Sequence, residues 1–427
     1  MKRIAEFLGL QRSLLGLLAM VVLVGMGEKM SERFLPMYLV ALGSGLLWPG
    51  FLNALDNLLS ALYSLPGGWL ADRLGIRKSL LVFDLLAIAG FAVVIAIPRW
   101  EAVIGGSFLF LSWTAISLPA SMDLISKTLP KSKRVMGVSV HSMVRRLPMA
   151  LGPIAGGLCI DAFGVVTGVR IAFLAAIAMA LLALVLQQTL ITEPPRGAAA
   201  DGPAEIRPWR MLRMFSPQLK TLLVADILIR FCEQIPYAYV VLWSMADIAG
   251  QATARVSAAQ FGVLTTIEMA VALFCYLPVA WLADKGTKKP FVVATFVNFT
   301  LFPVVLLFCR SFWALAAAFV LRGLKEFGEP TRKALILDLA PEDRKAGAFG
   351  VYYLCRDIVV SIGAFAGAFL WQRGPEVNFL TAAACGAAGT LFFALFGRNA
   401  GENGGWPPCL EPSLIPSMPR ARRSKSP

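Results

Sequence analysis

The seven residues GGWLADR, Gly67–Arg73, recur as VAWLADK at Val279–Lys285, 212 positions downstream. Their surroundings recur with them: Pro66 matches Pro278 and Asp56 matches Glu268 at the same shift. Farther along, Pro119 matches Pro330, Pro130 matches Pro341 and Arg145 matches Arg356, while Gly152 and Gly156 match Gly363 and Gly367, all at a shift of 211. One coincidence at a fixed offset means little. This many across several segments mark an internal duplication.

The duplicated material is strongly apolar. Of 427 residues, 57% are hydrophobic and only 15% charged, with a mean hydropathy of +0.69; a soluble chain carries about 25% charged residues. A water-soluble core cannot absorb that excess, so the composition predicts a membrane protein. Runs long enough to span begin near Leu14, Leu46, Leu80, Ala102, Gly137, Val165, Leu219, Phe261, Phe291, Ala314, Gly347 and Phe379. Twelve transmembrane helices in an all-α fold are expected, and the short alternating segments of a β-barrel do not occur. The start, MKRIAEFLGLQRS before an apolar run, is similar to a signal peptide. No small-residue cleavage site follows, so it reads as an uncleaved first span.

The longest polar interruption, Thr192–Ser216, is rich in Pro, Gly, Ala and Arg and divides the spans six and six. It predicts an N-terminal six-helix bundle over 1–191, a cytoplasmic linker over 192–218, a C-terminal six-helix bundle over 219–397 and a disordered cytoplasmic tail over 398–427. Parallel repeats of this kind imply a pseudo-two-fold axis along the membrane normal, with a cavity between the bundles.

Net charge is +14, and its placement decides its meaning. Of 40 Lys and Arg, 27 fall in the termini and one alternating set of loops, against five (Arg99, Arg170, Arg255, Arg310 and Arg373) in the opposite set. That bias puts both termini in the cytoplasm of a plasma (inner) membrane. The basic tail Arg420–Lys425 then reads as a solvated or headgroup-touching end, and no nucleic-acid partner is expected. Seven cysteines occur without a CxxC, and six sit in apolar runs as small buried hydrophobes. His141 is the sole histidine, so neither a histidine-based metal centre nor a catalytic triad is expected. No cofactor is implied.

With the repeat and the loop motif in view, the chain resembles the major facilitator superfamily. The carrying motif is GWLADRLGIRK, Gly68–Lys78, between spans two and three, with a weaker copy at Ala280–Lys289. The resemblance runs from the first span through the twelfth and implies two pseudo-symmetric six-helix bundles. It also implies a gating loop in which Gly68, Asp72, Arg73, Gly75, Arg77 and Lys78, with Asp284 and Lys285 in the copy, latch the bundles on the cytoplasmic side. Topogenic charge explains the basic residues of the loop but not Asp72. A second pattern is partial: PMALGPIAGG, Pro148–Gly157, is similar to the GxxxGPxxGG signature in span five of drug/proton antiporters, with Pro148 in place of the first Gly. Span four, Phe108–Ile125, lacks the Arg such antiporters carry there. Small residues at this spacing also serve plain helix packing.

The charges inside spans carry the functional reading. A charge at the bilayer centre costs roughly 2.5–3.5 kcal/mol on insertion scales, so it faces protein or water. Glu28, Lys29, Glu32 and Arg33 in MGEKMSERF (Met26–Phe34) share one helix side at about 100° per residue. Counted from Leu14, Glu28 lies about 21 Å into the span and Arg33 about 28 Å, where it can instead snorkel to the interface. In span ten, Arg322, Lys325, Glu326 and Glu329 stand at i, i+3, i+4 and i+7, a charged stripe in which removing Glu326 with Arg322 should be better tolerated than removing Glu326 alone. Span seven adds Asp226, Arg230 and Glu233, and span eleven Arg356 and Asp357.

Asp56 and Glu268 read differently, as lone carboxylates at matching positions of the two halves. A carboxylate without a counter-cation in a low-dielectric site can carry a proton near neutral pH. The alternative is that each pairs with a cation on a neighbouring helix and only fixes packing. Trp48, Tyr63, Trp113, Tyr237, Tyr239, Trp243, Tyr352 and Tyr353 could contact substrate or anchor at the interface.

These features point to a secondary transporter working by alternating access on a small, polar or ionic solute, with protons as coupling ion and export as the direction. Uptake by symport or uniport, or a non-transporting sensor or scaffold, are the alternatives. No Walker A motif supports direct ATP drive, and no catalytic cluster supports a membrane enzyme. The partners expected are the solute, protons and the lipid bilayer, with the chain a monomer.

Overall fold

The computed structural model describes residues 12–111, 113, 117, 121, 124, 134–191, 208–245, 256–284, 288–326, 328–341 and 345–398. Every regular element among them is a helix. Span one is α1 (Arg12–Glu32) continued by α2 (Leu35–Ala41), followed by α3 (Leu47–Leu74), α4 (Ile76–Ala96) and α5 (Trp100–Phe110) as spans two to four. Then come α6 (Arg134–Phe163) and α7 (Val165–Leu190), the short α8 (Pro208–Arg213), α9 (Pro217–Ser244), α10 (Ala258–Asp284) and α11 (Lys289–Phe308). Span ten is α12 (Phe312–Leu324) plus α13 (Glu329–Leu339), and α14 (Lys345–Arg373) and α15 (Pro375–Phe396) complete the set. Each expected span coincides with a helix. Among the described residues, seven of the helices are long and apolar enough to cross a membrane by length and composition.

Among the described residues two spans are broken, and both breaks fall at charges. Pro36 lies in the first turn of α2, and a proline cannot supply the N–H that would continue the helix through Arg33 and Phe34. In span ten, Gly328 N–H donates instead to Thr295 Oγ1 of α11 at 2.7 Å, and any Cβ at Gly328 would collide with that hydroxyl. Pro330 then stands in the first turn of α13.

Within the first half, α1 packs against α6 and α7; within the second, α9 packs against α14 and α15. The halves meet where α6 lies along α10 and α3 along α14. Large apolar side chains such as Phe274, Phe308, Trp313 and Leu395 remain on the outside, as a lipid-facing surface requires. Glycines permit the closest crossings. A Cβ at Gly156 would strike the Met30 carbonyl, and one at Gly157 the Ala258 carbonyl. The small residues of PMALGPIAGG therefore serve packing of span five against spans one and eight.

One end of the bundle, where span one turns into span two, is called the first-loop face below. There Asp161 of α6 accepts from the backbone N–H groups of Ala258 (2.9 Å) and Ala259 (3.0 Å) at the start of α10. Tyr239 donates its hydroxyl to the Leu46 carbonyl at 2.9 Å and stacks on Trp371. The two halves are thus joined across this face.

Candidate functional site

Among the described residues, cavities open between and beside the halves, and charged side chains line three of them. In the first half, Lys29 pairs with Glu28 at 3.1 Å and with Glu32 one turn on. Glu28 and Lys29 share a cavity of about 400 Å³ with Trp113, His141 and Arg145. Trp113 also donates its indole N–H to Asp84 at 2.7 Å, a buried carboxylate in span three.

The second half holds a continuous ladder of alternating charges. Arg322 lies 3.1 Å and Lys325 3.5 Å from Glu268. Lys325 also reaches Glu233 at 2.6 Å, and Glu233 meets Arg230 at 2.5 Å. Arg230 lies 3.7 Å from Glu329, which pairs with Arg332 and, at 3.3 Å, Lys333. Arg332 pairs with Asp226, which also lies 3.4 Å from Arg356 and accepts from Tyr352 at 3.2 Å. Arg356 closes the series on Asp357 at 2.7 Å. Buried ions persist only when paired and hydrogen-bonded, and this arrangement gives each acid a base.

The ladder revises two expectations. Glu268 is not a lone carboxylate, because Arg322 and Lys325 of span ten neutralise it. The span-ten stripe does not pair within itself either, because the helix ends at Leu324 and resumes at Glu329. Arg322 turns to Glu268, whereas Glu326 lies 3.9 Å from Arg146 of the other half. The tolerated double change is therefore not the one with Arg322.

A third cavity, of about 510 Å³, lies at the junction of the halves and is lined by Glu32, Arg33, Asn53, Asp56, Tyr237 and Arg322 among apolar neighbours. Arg33 donates to the Tyr237 hydroxyl at 2.7 Å, and both Arg33 and Arg322 lie near that ring, at 5.1 and 5.7 Å. Such cation–aromatic contacts hold a guanidinium without a carboxylate. Asn53 and Asn57 of span two bond to Gln234 of span seven. Asp56 makes no ion pair among the described residues.

Arg332 is absent from the sequence-derived candidates, although it is fully buried. A proline two residues ahead of it reads as the end of a span; its i+3 spacing from Glu329 was the available signal. Asp84, a single acid within the run Leu80–Leu86, carried a similar one. Of the aromatic candidates, Tyr237 faces the central cavity, Tyr352 and Tyr353 flank the ladder, and Trp48 packs on Trp100. Trp243 donates to the Leu306 carbonyl and Tyr63 to that of Phe108.

At the second-loop motif, Gly75 has φ +86°, a backbone region that favours glycine, and joins α3 to α4. Arg77 donates to the side chain of Gln188 at 2.6 Å and also to its carbonyl. Arg73 and Lys78 are exposed. Gly68, Asp72 and Asp284 stand on helices, but their side chains, and all of Lys285, lie outside the described residues.

Comparison with known proteins bears on this geometry. The family model described as Major Facilitator Superfamily matches residues 17–252 and 222–408. The chain belongs to the Major Facilitator Superfamily. Among solved structures, the nucleoside transporter NupG superposes with a TM-score of 0.76 at 12% identity, covering 90% of this chain and 100% of that one. A POT family transporter in complex with 5-aminolevulinic acid gives 0.71 at 14% identity, covering 89% and 96%. Both show likeness of fold alone. The Multidrug resistance protein MdtG of Escherichia coli K12 is 31% identical over 149 residues, 33% of this chain and 36% of that protein. The alignment thus spans about a third of that relative's length. This superfamily member is an integral membrane protein, and its family and fold neighbours are transporters, not enzymes.

Proposed function

We propose that the protein is a secondary active transporter that exports a small polar or ionic solute in exchange for protons. The observation that carries the reading is Asp56. It stands on the wall of the cavity between the halves and makes no ion pair among the described residues, whereas the acids of the ladder are each matched by a base. A carboxylate in that position can exchange a proton for a cationic group of the solute. The stretch shared with MdtG favours export.

In this reading the bundles 1–191 and 219–397 rock about the central cavity, joined by the linker 192–218. Loop charge orients both termini to the cytoplasm of the plasma membrane, which makes the joined first-loop face the outer one. Asp56, Arg33 and Arg322 contact the solute, while Glu28, Lys29, Glu32 and the ladder from Glu268 to Asp357 hold the interior open to ions and re-pair as the bundles move. Asp72 and its loop form the cytoplasmic latch.

The test uses purified protein in proteoliposomes loaded with a pH-sensitive dye. Addition of a transported solute should move protons across the membrane, and an imposed pH gradient should drive solute uphill. If no transported compound responds to the gradient, proton exchange at Asp56 is wrong.

A further inference from the structure

The central cavity says more about the solute than that it is polar. Four charged side chains stand on its wall, and two of them are in ion pairs. Glu32 pairs with Lys29, which it shares with Glu28, and Arg322 pairs with Glu268. The two left over are Asp56 of α3 and Arg33 at the break of span one. Neither has an ion-pair partner among the described residues, and they do not pair with each other. Arg33 donates to the Tyr237 hydroxyl and lies over that ring. Both side chains are partly buried, so water screens neither fully.

From this pairing we propose that the solute is a zwitterion with an apolar body, its amine on Asp56 and its carboxylate on Arg33. A purely cationic solute would satisfy Asp56 and leave Arg33 without an ion-pair partner. A purely anionic one would do the reverse. Desolvating an unpaired charge costs several kcal/mol, so the wall as a whole selects against both. The planar fork of Arg33 suits a carboxylate, which it can bind through two parallel hydrogen bonds. Beside Asn53 and Tyr237, the rest of the wall is apolar, with Leu35, Leu52, Leu111, Val240, Val241 and Phe261. The assignment rests on the transporter reading for its purpose but is a statement about binding, so the two can fail separately.

The experiment measures binding by calorimetry to the full chain in nanodiscs. Three parent zwitterions differ in charge separation: phenylalanine, leucyl-phenylalanine and 6-aminohexanoic acid. Each is compared with its methyl ester, which lacks the anion, and its N-acetyl derivative, which lacks the cation. At least one parent should bind at least about tenfold more tightly than both of its derivatives. Arg33→Gln should erase the preference for that parent over its ester, and Asp56→Asn the preference over its N-acetyl form. The derivative comparison on the unaltered protein needs no variant to fold.

Equal binding of parent and ester, or of parent and N-acetyl form, overturns the proposal. So does failure of all three parents to bind at millimolar concentration. A parent that binds with the expected signature yet shows no flux in proteoliposomes leaves the zwitterion site standing and overturns transport instead.

Discussion

Asp161 caps a helix that belongs to the other half of the molecule: its carboxylate oxygens accept from Ala258 N–H at 2.9 Å and Ala259 N–H at 3.0 Å. The acid sits at the end of span five and the amides at the start of span eight, so the contact must break for the first-loop face to open. A side-chain cap contributes about 0.5–2 kcal/mol, which corresponds to a roughly two- to thirtyfold shift in an opening equilibrium. Asp161→Ala should therefore raise the rate at which a single cysteine at Leu46 reacts with a membrane-impermeant maleimide, in a cysteine-free background. An unchanged rate would mean the cap carries none of the closure.

The buried ladder predicts unequal costs for neighbouring cations. Arg332 is 0% exposed and pairs with Asp226 and Glu329, so Arg332→Met strips two buried acids of a shared partner. Breaking such a pair costs about 3–5 kcal/mol. Lys333 contacts the same Glu329 but is 48% exposed, and Lys333→Met should cost under about 1 kcal/mol. Thermal unfolding of the two variants in detergent, read by tryptophan fluorescence, separates them. Equal melting temperatures would exclude the ladder as a source of stability.

These partners explain what could be read in the sequence and what could not. The duplication around Gly67–Arg73 and Val279–Lys285 was enough for the architecture, because apolar length and repeat spacing are local properties of the chain. The charged positions of spans one, seven, ten and eleven were legible for the same reason: a charge in an apolar run has few places to go. Their partners were not. Glu268 reads as isolated within span eight, since Arg322 and Lys325 come from a helix more than fifty residues away. The stripe in span ten assumes one continuous helix, and the break at Gly328 depends on a hydroxyl of span nine that no periodicity reveals. Arg332 was hidden by Pro330, a residue that ends one helix in sequence terms but begins another in this fold.

The crossing of spans one and five offers a steric test of the PMALGPIAGG segment. Gly156 lies so close to the Met30 carbonyl that even one methyl group has no room. Overpacking of this kind costs typically about 1–3 kcal/mol. Gly156→Ala should lower the melting temperature, whereas Gly105→Ala, where a Cβ meets nothing within 4 Å, should leave it nearly unchanged. Comparable melting for both variants would argue that span five can shift away from span one at little cost.

Asp56 provides the test of coupling with its sign. If the carboxylate exchanges a proton for the solute, lowering pH on the side to which the solute is exported supplies the driving proton and should increase uphill export. Asp56→Asn keeps the side chain's shape but can neither release nor accept that proton. The variant should lose uphill export at any imposed gradient. Downhill exchange of a solute that retains its contact with Arg33 should persist, weakened by the loss of the amine contact, roughly 1.5–3 kcal/mol or about ten- to a hundredfold in affinity. Solute flux into acid-inside and symmetric proteoliposomes, measured side by side, gives the answer. Gradient-driven accumulation by the variant would remove Asp56 from the coupling path and leave protonation to the paired acids Glu28 and Glu233.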